Sequence, residues 1–408
     1  MLSGAKNAVL PIMAACLLTE ETSVIERVPR VTDVLTMADI LRRLGAEVEF
    51  SDDRLVITPG RFVGFSAPYE LVSMMRASIC VLGPLLVRHG RARVAMPGGC
   101  VIGPRPIDLH LKGLSALGAT LSVEHGDIVA SGASLQGAKV HLGGSRGSSV
   151  LATANVMMAA SRAQGTTVIE HAACEPEMED LANCLRSMGA RIEGQGGPVI
   201  RIDGVPSLHG TRYRIMGDRI EAGTWMMAAA TTRGDVLIEG AASEHLGSVI
   251  DKLAEAGVHL EKRDGALRVS APEPVRAVDV TTLPFPGFPT DLQAQMMALM
   301  AVARGVSVLT EKIYPDRFMH IDELNRMGAQ ITRQADSAIV KGVERLSGAP
   351  VMASDLRASA ALVLAGLVAD QRTELQGLEH LDRGYHEFER KLVGLGAVVH
   401  RMTTHKGA

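Results

Sequence analysis

At 408 residues the chain is longer than one domain of roughly 150 residues requires, so two or three domains are expected. A net charge of −3 gives no overall field for nucleic acid or an anionic membrane, although it is compatible with a local basic cleft. Hydrophobic residues at 47% exclude wholesale disorder, and aromatics at only 3% argue against a base-stacking surface for single-stranded nucleic acid.

The first apolar segment, Ala8 to Leu18, follows Lys6-Asn7 and superficially imitates a secretion signal. Segments of the same kind recur inside the chain at Ala77–Val87, Leu151–Ala160, Thr224–Ala230, Leu292–Ala303 and Ser359–Val368. Being apolar nearly all round, they are predicted to be buried helices. No apolar run reaches the roughly 20 residues of a membrane span. Between them an apolar-Gly-Ala motif, or a close variant, recurs with its glycines at 45, 118, 189, 257, 328 and 396. Glycine enters the left-handed region without steric cost, so each copy marks a helix stop. The residues that follow alternate as half-buried strands do, as in Glu47-Val48-Glu49-Phe50. The chain is therefore a sixfold repeat of buried helix, strand, amphipathic helix and strands. Two sets of three units make two domains of about 200 residues each.

The residues leading into the buried helices are polar: Lys6-Asn7, Arg76 with Ser78, Ser148-Ser149, Asp218-Arg219 with Glu221, Thr290-Asp291, and Asp355 with Arg357. Helix N-termini carry unpaired N–H groups, so six of them aimed into one cleft would suit phosphates and carboxylates. Ser149, Thr290 and Asp355 equally fit plain N-caps. Met96 to His110 holds three Gly and three Pro and is expected to be a loop. It carries Cys100, with Arg105 nearby to lower the thiol's pKa, as a nucleophile or proton donor. Cys16, Cys80, Cys174 and Cys184 complete a scattered set with no CxxC pair, which reads as reduced cytoplasmic thiols; no metal motif is visible. Late in the chain, Asp316-Arg317 and Asp382-Arg383 occupy strand-to-helix turns, where caps do not call for Arg.

These stretches resemble the enolpyruvyl transferases, most closely the branch whose acceptor is UDP-N-acetylglucosamine. The resemblance rests on Ser3-Gly4-Ala5-Lys6-Asn7, Met75-Arg76-Ala77-Ser78, Pro97-Gly98-Gly99-Cys100 with Arg105 to His110, Phe288-Pro289-Thr290-Asp291, Asp355 to Ser359 and Asp382-Arg383-Gly384-Tyr385. It implies a two-domain inside-out α/β barrel, each domain three βαβαββ units around buried helices. The expected domains are 7–216, carrying the Cys loop at about 96–110, and 1–6 plus 217–408, with the active site between them. The implied reaction moves the enolpyruvyl group of phosphoenolpyruvate to the 3-hydroxyl of UDP-N-acetylglucosamine and releases phosphate, through a tetrahedral ketal, in peptidoglycan synthesis. No cofactor is implied.

By the same resemblance Asp291 is the base, and Cys100 the acid or the site of a covalent phosphoenolpyruvate adduct, alkylated by fosfomycin. Lys6, Arg105 and Arg383 bind phosphoenolpyruvate. Asn7, Arg76, Arg317, Asp355 and Arg357 line the cleft, and Arg105, Pro106, Ile107, Asp108, Leu109, Ser149, Val150 and Ile313 line the UDP-sugar. The chain departs from the family pattern with Leu151 where Gly is usual and Gly147 where a diphosphate-binding Lys is usual, Arg146 being a possible substitute. It also reaches its first helix some sixteen residues earlier than is usual, so either its start is misassigned or one domain lacks an opening strand and leaves a sheet edge unpaired. The shikimate-pathway acceptor fits less well, given the Cys100 loop and Ala5-Lys6-Asn7. A non-catalytic UDP-sugar-binding paralogue would explain Leu151 and Gly147 but not the retention of Lys6, Cys100, Asp291 and Arg383.

Overall fold

The computed structural model describes residues 1–60, 64–98, 106–145 and 147–402. Cys100, Arg105 and Arg146 lie outside the described residues.

Two hydrophobic cores divide the chain. One draws on residues from Val9 to Ile215, the other on Leu2 and residues from Ile220 to Leu392. The six apolar segments lie inside these cores, as Lys6–Ala15, Leu82–His89, Val150–Ala160, Arg219–Thr232, Gln293–Met300 and Leu356–Gly366. Two of them do not begin as α-helix: Arg76–Val81 and Thr290–Leu292 are tighter 3-10 turns that lead into the helical part. The Leu-Gly-Ala stops behave as expected, with Gly45, Gly118, Gly189, Gly257, Gly328 and Gly396 all at positive φ.

Each complete unit makes a four-stranded sheet in which a parallel pair is followed by an antiparallel hairpin. In the second unit Ser66–Ala67 runs parallel to Arg91–Ala95, which pairs with Asp127–Ser131 and then Thr120–Glu124. The third and fifth units repeat this order. The first unit takes its opening strand from beyond the third: Arg212–Arg214 lies parallel to Ser23–Glu26 and closes the first domain on itself. Sheets outside and helices inside give the inside-out α/β barrel. In the fourth unit the sheet has three strands among the described residues, with Asp235–Glu239 at its edge, and the Leu2 N–H donates to the Glu239 carbonyl there. The sixth unit departs most. Its strands form two short parallel pairs, and Ala397–Met402, predicted as strand after the last Gly-Ala, forms none. Lacking a paired neighbour, that backbone has no ladder to join.

One buried amide ties the inner helices of each domain. Asn155 Oδ1 accepts from Gly83 N at 2.8 Å, and its Nδ2 donates to the Ile79 carbonyl and to His110 Nδ1, each at 3.0 Å. In the second domain Gln295 Nε2 reaches Thr224 Oγ1, Tyr385 Oη and the Asp291 carbonyl at 3.0–3.1 Å. A buried amide left unpaired would cost about 1–3 kcal/mol, so these networks specify one register among otherwise interchangeable apolar helices.

Candidate active site

Four of the six inner segments bring their leading residues into one place. Lys6 and Asn7 open the first, Asp218 and Arg219 the fourth, Asp291 the fifth, and Asp355 and Arg357 the sixth. Asp218 caps its helix, accepting from Ile220 N and Glu221 N, and its other oxygen takes the Lys6 N–H at 3.2 Å. Asp355 caps the helix that carries Arg357, accepting from the N–H groups of Arg357 and Ala358. Ser149 is likewise an N-cap, accepting from Ala152 N. Thr290 is not: its hydroxyl donates to Glu311 Oε2 at 2.9 Å and accepts from Arg317 Nη1 at 3.0 Å.

Asp291 sits at the centre. Arg317 Nη1 donates to one oxygen at 2.8 Å and Arg357 Nη2 to the other at 3.0 Å, while Asn7 Nδ2 approaches to 3.4 Å. Both guanidiniums are buried, at 6% and 2% side-chain exposure, and the carboxylate keeps 28%. Burial pushes the Asp291 carboxyl up, but Arg357 and Arg317 outweigh it and hold the group well below the usual carboxylate range. Asp291 is therefore ionised at neutral pH and keeps part of its carboxylate exposed.

A second carboxylate completes the cationic wall. Asp33, at the start of helix Thr32–Leu44, takes Lys6 Nζ at 2.8 Å and Arg383 Nε at 2.9 Å. Nothing local marks Asp33 in the sequence, since an acid in the first turn of a helix is ordinary. Glu311, also absent from the sequence expectations, ends the strand Val306–Glu311 at an inward-facing position where an apolar residue is usual, a signal that could have found it. Its Oε1 accepts from Thr282 Oγ1, Ile313 N and Tyr314 N, so it fixes the turn that carries Ile313 beside Thr290.

The remaining predicted residues are placed by other contacts. Arg76 bonds the carbonyls of Pro97 and Pro106, the two shoulders of the Cys100 loop. That loop ends earlier than expected, because Asp108, Leu109 and His110 already belong to helix Asp108–Ala116. Tertiary packing of His110 against Asn155 overrides the Pro-rich approach. Ile107 is buried, Pro106 and Asp108 are exposed, and Leu109 packs near Gly144 in the hairpin that precedes Ser149 and Val150. Gly147, in that hairpin, has φ +88°, and a Cβ there would meet Pro284 at 3.3 Å. A lysine at 147 would be strained on this backbone. Leu151 is half-buried against the first core. The four described thiols are poor nucleophiles: burial pushes Cys16 and Cys80 up to about 12 and raises Cys174 and Cys184.

The profile of EPSP synthase (3-phosphoshikimate 1-carboxyvinyltransferase) matches residues 1–392. The UDP-N-acetylglucosamine 1-carboxyvinyltransferase of Methylacidiphilum infernorum (isolate V4) is 54% identical over 401 residues, covering 98% of this chain and 95% of the relative. The chain belongs to the UDP-N-acetylglucosamine 1-carboxyvinyltransferase family of enolpyruvyl transferases. A second member, UDP-N-acetylglucosamine 1-carboxyvinyltransferase 2 of Carboxydothermus hydrogenoformans, is 52% identical over 404 residues, covering 98% of this chain and 96% of its own. Among solved structures, the enolpyruvyl transferase NikO from Streptomyces tendae superposes with a TM-score of 0.87 at 25% identity, over 97% of this chain and 94% of that one. EPSP synthase from Acinetobacter baumannii, at 19% identity and a TM-score of 0.73 over the same shares, shares the fold.

Proposed function

We propose that this chain transfers the enolpyruvyl group of phosphoenolpyruvate to the 3-hydroxyl of UDP-N-acetylglucosamine, releasing phosphate, as a cytoplasmic step of peptidoglycan synthesis. Residues 7–216 form one domain and 1–6 plus 217–408 the other, with the reaction in the cleft between them. The observation that carries this reading is the gathering of Lys6, Arg317, Arg357 and Arg383 around Asp291 and Asp33 from opposite ends of the chain.

The reaction needs a proton for the methylene carbon of phosphoenolpyruvate, a base for the sugar hydroxyl and cations for the carboxylate and phosphate. Lys6, Arg105 and Arg383 bind the donor. Cys100 delivers the proton to the methylene carbon or captures the donor covalently. Asp291 receives the hydroxyl proton as the oxygen bonds to the central carbon, giving the tetrahedral ketal. Because the arginines hold Asp291 at low basicity, this proton moves only as the C–O bond forms, when the hydroxyl becomes acidic. The thiolate left on Cys100 then takes a proton back from the new methyl group, phosphate departs with the electrons of its C–O bond, and the double bond is restored. Arg76 bonds the Pro97 and Pro106 carbonyls and so ties together the two ends between which Cys100 lies in the sequence, while exclusion of water protects the ketal. Pro106, Ile107, Asp108, Leu109, Ser149, Val150 and Ile313 bound the nucleotide-sugar, while Asn7 and Asp355 hold the positions of Asp291 and Arg357.

The test is phosphate release with each substrate alone and with both. Release that requires both supports the reading. Folded protein that releases none, or releases it equally without the sugar nucleotide, refutes it.

A further inference from the structure

Asp33 has no place in the steps above, yet it is one of the most constrained carboxylates in the molecule. Its side chain is 5% exposed, and each oxygen is committed to a different cation: Oδ2 to Lys6 Nζ at 2.8 Å and Oδ1 to Arg383 Nε at 2.9 Å. The three residues come from separate elements. Lys6 heads the first inner helix, Asp33 lies in the first turn of helix Thr32–Leu44, and Arg383 follows the short helix Leu378–Leu381 of the second domain. The backbone is fixed at the same point, because the Thr32 N–H donates to the Asp382 carbonyl at 2.9 Å. Asp33 therefore cannot move independently of the segment that carries Arg383.

Two cations meeting in a partly desolvated cleft repel each other, and neither Lys nor Arg keeps one geometry without a partner. A carboxylate between them removes the repulsion while leaving the trio one positive charge. It engages one N–H of each cation, which orients the guanidinium plane and the ammonium without neutralising both. The helix N-terminus beneath it favours its charge. Burial pushes the Asp33 carboxyl up, and Lys6 and Arg383 outweigh that and hold it below the ordinary range, so the bridge persists at neutral pH.

We propose that Asp33 is a positioning residue for the donor substrate: reaching from the first domain to bridge Lys6 and Arg383, it builds a two-cation seat for the anionic end of phosphoenolpyruvate. The proposal rests on the function read above. It has a diagnostic sign. If Asp33 were only an internal counter-ion competing with substrate, removing its charge would tighten binding of the anion. As a positioning group, its loss lets the cations separate and weakens binding.

Asp33→Asn in the full chain decides between these, with phosphate release measured while each substrate is varied. The KM for phosphoenolpyruvate is expected to rise about tenfold, equivalent to ~1.4 kcal/mol, with the KM for UDP-N-acetylglucosamine within about twofold of wild type. An unchanged or lowered KM for phosphoenolpyruvate overturns the proposal. If Asp33→Asn does not fold, or raises both KM values together, Asp33→Glu is decisive. Keeping the charge, it must hold the phosphoenolpyruvate KM within about threefold of wild type. A folded Asp33→Glu as impaired as loss of the charge overturns the proposal. Wild-type protein that gives no acceptor-dependent phosphate refutes the functional reading instead. Asp33 is then judged by calorimetric binding of phosphoenolpyruvate, where Asp33→Asn must bind about tenfold more weakly and equal binding overturns the proposal.

Discussion

Replacing Asp291 by Asn removes one negative charge from a carboxylate that faces two buried guanidiniums. Arg317 and Arg357 donate to it at 2.8 and 3.0 Å from sites that are almost closed to solvent. Breaking a fully buried pair from one side costs about 3–5 kcal/mol. Asp291 itself keeps 28% exposure and Asn retains one acceptor oxygen, so the stability cost falls to about 2–3 kcal/mol. For a domain of about 200 residues this lowers the unfolding midpoint by ~5–10 °C. The catalytic cost is larger: loss of a positioned base lowers turnover by about 10²–10⁴-fold. The nucleotide-sugar is held mainly by other residues, and its affinity should stay within about tenfold of wild type. Phosphate release, thermal unfolding and calorimetric titration of UDP-N-acetylglucosamine separate the three quantities. Turnover within tenfold of wild type would refute the assignment of Asp291 as base, and lost nucleotide-sugar binding would reassign it to recognition.

Three further outcomes follow from particular contacts. Gly83→Ala places a Cβ 2.6 Å from the Asn155 carbonyl oxygen, and should destabilise the first domain by about 1–3 kcal/mol; an unchanged unfolding midpoint contradicts the helix packing described. Burial, then Arg76, pushes the His110 imidazole down from 6.5 to about 3, so the folded state holds it neutral where the unfolded state takes up a proton. Its contribution to stability is therefore present above pH ~6.5 and is lost as pH falls towards ~3, at about 1.4 kcal/mol per unit, and His110→Gln should flatten that slope in acid titrations of unfolding. Fosfomycin should add once to the protein, at Cys100, since burial raises the other four thiols; peptide mass mapping that finds the adduct elsewhere, or none, defeats the assignment of Cys100.

Much of this architecture was legible because the repeat is written in two independent signals, the all-apolar inner helices and the glycine stops. Both depend on local physics, burial on every face and a left-handed backbone, and the helix stops appear at all six glycines. What the sequence could not convey was pairing at a distance. Nothing near Ser23 reveals that its neighbouring strand is Arg212–Arg214, and nothing near Ala397 reveals that the strand predicted there has no partner. The site follows the same division. Asp291, Arg317, Arg357 and Arg383 stand out because charged residues at the head of an apolar helix, or Arg in a capping turn, conflict with local expectation. Asp33 does not conflict with anything local. An acid in the first turn of an amphipathic helix is ordinary, and only the arrival of Lys6 and Arg383 from 27 and 350 residues away makes it part of a site. Asn155 was equally silent, since a lone amide in an apolar helix does not name the three segments it joins.

The most direct test of enolpyruvyl transfer is the stoichiometry of products. Purified protein is incubated with phosphoenolpyruvate and UDP-N-acetylglucosamine, inorganic phosphate is counted, and the nucleotide-sugar is weighed by mass spectrometry. One nucleotide-sugar carrying an added enolpyruvyl group for each phosphate released is the expected result. Phosphate released without a modified sugar nucleotide, or neither product from folded protein, would contradict it.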